Sequence, residues 1–275
     1  MEDAMKLGKS TFVILMFLTT PVLAAENCVS LLAKLAALDY SKGVEVKNSK
    51  VNKTYKSVYA KCDANDKFNG KALPSFNGKP LRCSTDPNRL AFMKKFSDGT
   101  IVFKSKLSVD ADGSPVSQSA AASAADQPHT SLTYDTTPTE YVNAEDVSFI
   151  VIPLTSSKYK TSVKIDTGAK LGDLAAVFYN GHCSFGVIAD EGPAYRIGEA
   201  SLKTHEELGN PQCKTPGQHP CLKIKAGGDG VGIEAGVITM VFPGSRPAHL
   251  SSATISVDAT SLAIEKATKF LNAVH

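Results

Sequence analysis

From Ala91 onward the chain is a succession of short, β-branched apolar segments divided by turn residues, and this spacing constrains its fold more than any other feature. Residues 100–103 (TIVF), 147–154 (VSFIVIPL), 174–179 (LAAVFY), 184–189 (SFGVIA) and 237–242 (VITMVF) read as strands. Each is too short for a typical helix and rich in residues that suit a pleated surface. Asn180-Gly181 between two of them predicts a tight hairpin, because both positions accept positive φ. Helices are few: residues 201–208 (SLKTHEEL), closed by Gly209 as a cap, and an amphipathic stretch over 259–274. Regular short strands with few helices predict a mainly β barrel.

The N-terminus reads as an export signal. Lys6 and Lys9 precede a short apolar run, 11–18, and Val22-Leu23-Ala24 resembles a cleavage site, so residues 1–25 are expected to be removed. The run is too short to span a bilayer, and no later stretch reaches about 18 apolar residues; an uncleaved anchor is the competing reading. The expected location is secreted or periplasmic, with no membrane association after cleavage. Six cysteines remain, an even number that suits disulfides in an oxidising compartment. Cys213 and Cys221 flank a Pro/Gly-rich loop and are expected to pair. Cys28, Cys62, Cys83 and Cys183 allow three pairings. There is no C-x-x-C, and His182, His205 and His219 lack ligand spacing, so no metal site is expected. Residues 26–92 read as a small disulfide-stapled N-terminal extension, with a helix near 28–38 and weakly patterned Lys-, Asn- and Gly-rich segments after it. Residues 93–275 read as the main domain, which carries the strand pattern. A net charge of +3, with no basic run interleaved with aromatics, argues against a nucleic-acid partner.

The densest chemistry lies in Ala189-Asp190-Glu191-Gly192-Pro193 and Ile197-Gly198-Glu199-Ala200-Ser201. Asp190 ends an apolar strand, a Gly-Pro turn follows, and Glu199 stands just ahead of the short helix. Two carboxylates so placed can face one cleft, as sugar hydrolysis requires: one protonates the leaving oxygen and one activates water. The plainer reading is a turn-stabilising Asp190 and a Glu199 that complements the helix dipole. Asp110-Ala111-Asp112-Gly113 hints at a calcium loop but lacks the distal glutamate, and an Asx-type turn explains it equally. The glycine-rich run 227–232 has no Lys-Ser/Thr after it and reads as a loop. His182 reads as a turn residue. Residues 114–140, rich in Ser, Ala, Thr, Asp and Pro, are long enough to be either functional or unstructured.

Several blocks, in order, resemble glycoside hydrolase family 75, the fungal and bacterial chitosanases: Lys104-Ser105-Lys106-Leu107 with Asp110-Ala111-Asp112-Gly113-Ser114-Pro115; Gln127 with Thr130-Ser131-Leu132; Phe149 to Pro153; Gly172 to Val177 with Tyr179-Asn180-Gly181; the two carboxylate segments; and Val241 to Ser245. The resemblance implies hydrolysis of β-1,4 links between glucosamine residues with inversion, by an endo-acting enzyme with Glu199 as general acid and Asp190 as general base. Inversion implies carboxyl groups roughly 6.5–9.5 Å apart. The strand–turn–helix around Asp190, Gly192, Pro193, Ile197 and Leu208-Gly209 is similar to the double-psi β-barrel of family 45 endoglucanases and expansins, so the fold class expected is a mainly β, double-psi-like barrel with short helices. Asp110, Asp112, Lys106, Asp173, Tyr179 and Tyr195 are candidate substrate contacts. Chitosan is a polycation and the chain is slightly basic, so an acidic cleft is expected from Asp166, Asp173, Asp190, Glu191 and Glu199. With no Trp, stacking falls to Tyr179, Tyr195, Phe178 or Phe185. No cofactor is implied, the partner is a polysaccharide, and a monomer is expected. A non-catalytic carbohydrate-binding module and a peptidoglycan-cleaving enzyme on the same fold are the alternatives.

Overall fold

The computed structural model describes residues 20–274 apart from 77, 120–126 and 226–230, with side chains from residue 27; Lys6, Lys9 and the apolar run 11–18 lie outside the described residues. The N-terminal part holds α1 (Thr20–Ala36), β1 (Val44–Glu45), β2 (Lys47–Asn48), β3 (Lys53–Thr54), α2 (Tyr55–Asn65), β4 (Lys67–Phe68), β5 (Lys71–Ala72), β6 (Ser75–Phe76) and β7 (Lys79–Pro80). There follow β8 (Phe92–Lys95), β9 (Ile101–Asp110), α3 (Pro115–Gln118), β10 (Phe149–Pro153), α4 (Val163–Thr167), β11 (Leu174–Tyr179), β12 (His182–Gly192), β13 (Glu199–Ser201), α5 (Leu202–Glu207), β14 (Ile233–Phe242) and α6 (Ile255–Val274).

Six strands close a barrel in the order β9-β13-β10-β12-β11-β14, with β14 returning to β9. Two of its pairs, β9 with β13 and β10 with β12, are parallel, and the others are antiparallel. This mixed, closed barrel is the mainly β fold that the spacing of short strands anticipates. Side chains alternate across each strand. Phe103, Leu107, Ile150, Ile152, Val177 and Ile188 fill the interior. Val102, Phe149, Val151, Ala176, Val187 and Met240 form an outer core, and α1 and α6 cover it. α6 contributes Ala259, Ala263 and Ala267 at four-residue spacing, one face whose small side chains let the helix lie close to the sheet. Asn180 (φ 46°) and Gly181 (φ 83°) turn β11 into β12 as expected, and Tyr179 pairs with His182 across the turn.

Most strands outrun their sequence signal. β9 extends from Ile101 to Asp110 and β12 from His182 to Gly192, because their ends carry polar residues that the apolar pattern passes over. The N-terminal part is also bound in more tightly than a region held only by disulfides. β1 extends the barrel sheet through β8, and Val46, Tyr55, Val58, Tyr59 and Phe68 join the same core cluster as the barrel interior. Disulfides link Cys28 to Cys183, Cys62 to Cys83 and Cys213 to Cys221, which resolves the open pairings and bears out the third.

Candidate active site

Asp190 and Glu199 sit on the strands flanking β10. A bulge between Ile150 and Val151 shifts the parallel register with β12 so that Ile188 pairs with Ile150 and Asp190 with Val151. Ile150 faces the interior and Val151 the outer core, so Asp190 stands on the outer face. The segment from 127 to 142 crosses that face. Leu132 donates its N–H to the Ala189 carbonyl (2.9 Å), and Ser131 donates both its N–H (2.7 Å) and its hydroxyl (2.6 Å) to Asp190 Oδ1. On the other side of β10, Ala200 pairs with Ile150 and turns inward, leaving Glu199 on the same outer face as Val151. Glu199 begins a short strand rather than standing at the start of α5, whose cap is Ser201. Gly192 makes room for it: a Cβ there would lie 2.7 Å from Glu199 Oε2 and 2.9 Å from Val151 Cγ1. Two strand spacings separate the backbones of Asp190 and Glu199, about 10 Å.

Glu199 opens onto a groove of about 810 Å³ whose walls include Phe76, Asp86, Arg89, Lys106, Tyr195 and Arg196. Burial raises the Glu199 carboxyl above the usual range; Lys106 and Arg196 oppose the rise and Asp190 adds to it. Among the described residues no side chain or backbone N–H donates a hydrogen bond to the Glu199 carboxyl. Burial draws Lys106 down to about 8, against the pull of Glu199 and Asp63.

Behind Asp190 lie two further buried carboxyls. Oxygens of Asp110, Asp112 and Asp190 all fall within 4.8 Å of one another, the one group among the described residues with spacing to ligate a cation. Asp110 Oδ1 accepts the Asp112 N–H (2.8 Å), and Asp112 Oδ1 accepts the Gln127 N–H (2.6 Å). Burial, then Asp112, then Asp190, push the Asp110 carboxyl well above the ordinary range.

The acidic cleft is narrower than the sequence suggests. Asp173 is 1% exposed and accepts N–H groups from Lys170, Ser245 and Arg246, which makes it a turn organiser remote from the groove. Asp166 accepts the Tyr55 hydroxyl, and Glu191 pairs with Lys164. Phe178 and Phe185 belong to the outer core, and Tyr179 packs against the inner one. His182 lies against Gly209 on the surface. Of the candidate contacts, Lys106 and Tyr195 line the groove, and Asp110 and Asp112 gather at Asp190. Sequence reasoning missed Asp86, Arg89 and Arg196. Of the glycine-rich run, residues 227–230 lie outside the described residues, and only Val231 and Gly232 are seen, at the groove edge.

A family model described as fungal chitosanase of glycosyl hydrolase group 75 matches residues 107–265. A comparison with curated proteins finds no match. The match runs from within β9 through both carboxylate-bearing strands into α6, more than half of the chain, and by it the protein belongs to the group 75 chitosanases and is a glycoside hydrolase of the chitosanase type.

Proposed function

We propose that the protein is a secreted, endo-acting chitosanase that hydrolyses β-1,4 links between glucosamine residues with inversion. Glu199 protonates the leaving oxygen and Asp190 activates the attacking water. The observation that carries this reading is the placement of the two carboxylates on one outer face, on either side of Val151. A backbone separation of about 10 Å suits carboxyl groups roughly 6.5–9.5 Å apart with a water between, rather than the closer pair of a retaining enzyme. Environment divides the roles. Burial favours a protonated Glu199, as an acid needs, while two donors from Ser131 orient Asp190.

The substrate's positive charge fits the catalytic part of the chain. Residues 93–275 carry 19 Asp and Glu against 16 Lys and Arg, while residues 26–92 carry 6 against 12, so the net positive charge belongs to the N-terminal part. Asp190, Asp110 and Asp112 are the acidic groups that a sugar ammonium would meet beside the water. Tyr195 and the half-exposed Phe76 offer ring surface in the groove. Three disulfides fit an oxidising compartment, and no helix among the described residues is long and apolar enough to cross a membrane.

The test is incubation of purified protein with chitosan, chitin, cellulose and peptidoglycan, with new reducing ends counted and the anomer of the first product read by NMR. Chitosan cleavage to the inverted anomer is expected. Asp190→Asn and Glu199→Gln should each lose about 10²–10⁴-fold in kcat while keeping their fold. Release of the retained anomer, or turnover surviving either substitution, refutes the assignment.

A further inference from the structure

The residues that flank Glu199 are held by a part of the chain that precedes the family match. Asp86 Oδ2 accepts Lys106 Nζ at 2.6 Å and is also ion-paired with Arg196 Nη1, which in addition donates to the Asp86 carbonyl at 3.0 Å. Lys106 is nearly closed off from solvent, with its side chain 3% exposed. Asn88, two residues on and fully buried, joins the 193–198 loop to β9. It donates Nδ2–H to the Tyr195 carbonyl (3.2 Å), accepts the Ile197 N–H (2.9 Å), and its carbonyl accepts the Lys106 N–H (3.2 Å). Asp63 of α2 fixes this segment by accepting the N–H groups of Asn88 (2.9 Å) and Arg89 (3.0 Å), and the Cys62–Cys83 disulfide ties α2 to it again. Residues 83–89 therefore clamp the loop 193–198 that delivers Glu199 to the groove.

We propose that Asp86 is a positioning residue for Glu199: it holds in place the two cations that act on the acid and offsets their charge. This rests on Glu199 being the general acid. Glu199 faces Lys106 on β9, Arg196 and Tyr195 on its own loop, Asp190 on β12 and Asp110 at the end of β9. Tyr59 and Asp63 approach from α2. Lys106 and Arg196 are the groups that favour its ionised form. With Asp86 in place the three partners sum to one positive charge beside the acid, and without it to two.

The sign of each substitution follows. Asp86→Asn uncovers a positive charge, Glu199 gives up its proton at lower pH, and the basic limb of kcat/KM moves down. Lys106→Met removes a cation, so the limb moves up. The double variant returns near wild type. Each shift is about one pH unit, allowing for the half-exposed position of Asp86.

The experiment is a kcat/KM pH profile for wild type, the two single variants and the double variant, with thermal melts alongside. Opposite shifts that cancel in the double variant support the proposal. If Asp86→Asn does not fold, its effect is read in the Lys106→Met background, where it must still move the limb down. A limb that stays within about 0.2 pH units in every folded variant overturns the proposal, as does loss of rate at all pH values without a shift. The outcome is separable from the catalytic reading, because Glu199→Gln must be inactive in the same assay whatever Asp86 does.

Discussion

Gly192→Ala tests the geometry of the site with one methyl group. Gly192 does not adopt a positive φ, so alanine fits its backbone. The added Cβ would meet Glu199 Oε2 at 2.7 Å, about 0.7 Å inside ordinary contact, and Val151 Cγ1 at 2.9 Å. The carboxyl is the flexible end of a side chain and moves first; Val151 is packed and yields less. Overpacking of this kind costs about 1–3 kcal/mol, a drop in melting temperature of several degrees for a chain of this size. The catalytic cost is larger, because a misplacement of about 1 Å can lower turnover about 100-fold. An acid pushed aside by 0.7 Å should lose about 10–50-fold in kcat. Gly181→Ala is the matched control. Its φ of 83° strains an alanine, with no atom within 4 Å of the new Cβ, so it destabilises the hairpin by about 1 kcal/mol and leaves kcat unchanged. Initial rates of reducing-end release, taken well below both melting temperatures, separate the two effects. Wild-type kcat in folded Gly192→Ala, or an equal loss in the hairpin control, would refute the placement of Glu199 against Gly192.

Glu199→Gln should be more stable than wild type at pH 7 and equal to it below pH 4. At low pH both states keep the proton. As pH rises past the ordinary glutamate value the unfolded chain releases it first, so the buried carboxyl costs the folded state stability. Urea titrations at several pH values read this, and a gap that stays constant with pH rules it out. The disulfides should separate stability from function. Cys28→Ser with Cys183→Ser opens a link spanning 155 residues and removes up to about 5 kcal/mol of stability, with kcat retained. Cys62→Ser with Cys83→Ser spans 21 residues, removes about 3 kcal/mol, and lowers kcat as well, because that bridge anchors the clamp on the Glu199 loop. Equal kcat in the two pairs would contradict the clamp.

The barrel was legible where the pattern was local. Residues 174–179 match β11 end to end, and Asn180-Gly181 forms the turn it announces. The short helix expected over 201–208 is α5, Leu202–Glu207, with Ser201 as its cap. What the pattern could not carry was register. Nothing local marks the bulge at Ile150 and Val151, yet that single shift decides which face Asp190 occupies. Nor does sequence distinguish acids that share a neighbourhood in the chain from acids that share a cleft. Asp166, Asp173 and Glu191 lie near Asp190 in sequence and are satisfied elsewhere. Asp110 and Asp112 are about 80 positions away and meet it.

The same physics explains why the N-terminal part resisted reading. Its strands are two residues long, too short for any alternation to show, and its contribution to the groove is made by single polar side chains. Asn88 carries no periodic signal, yet its side-chain amide joins α2 to the 195–197 loop and its backbone carbonyl accepts from β9. Asp86 sits in a Thr-Asp-Pro run that suggests only a turn, and becomes informative once Lys106 and Arg196 are seen converging on it from separate elements. A disulfide-rich segment need not be an appendage. Here Tyr59 of α2 stacks edge-on with Phe68, whose ring meets Tyr159, and Tyr159 in turn meets Tyr195 at the groove, so a line of aromatic contacts runs from the N-terminal helix to the residue four positions before Glu199. Ordering that loop therefore draws on residues some 110 to 140 positions earlier, and the Cys62–Cys83 bridge ties α2 to the segment that holds it.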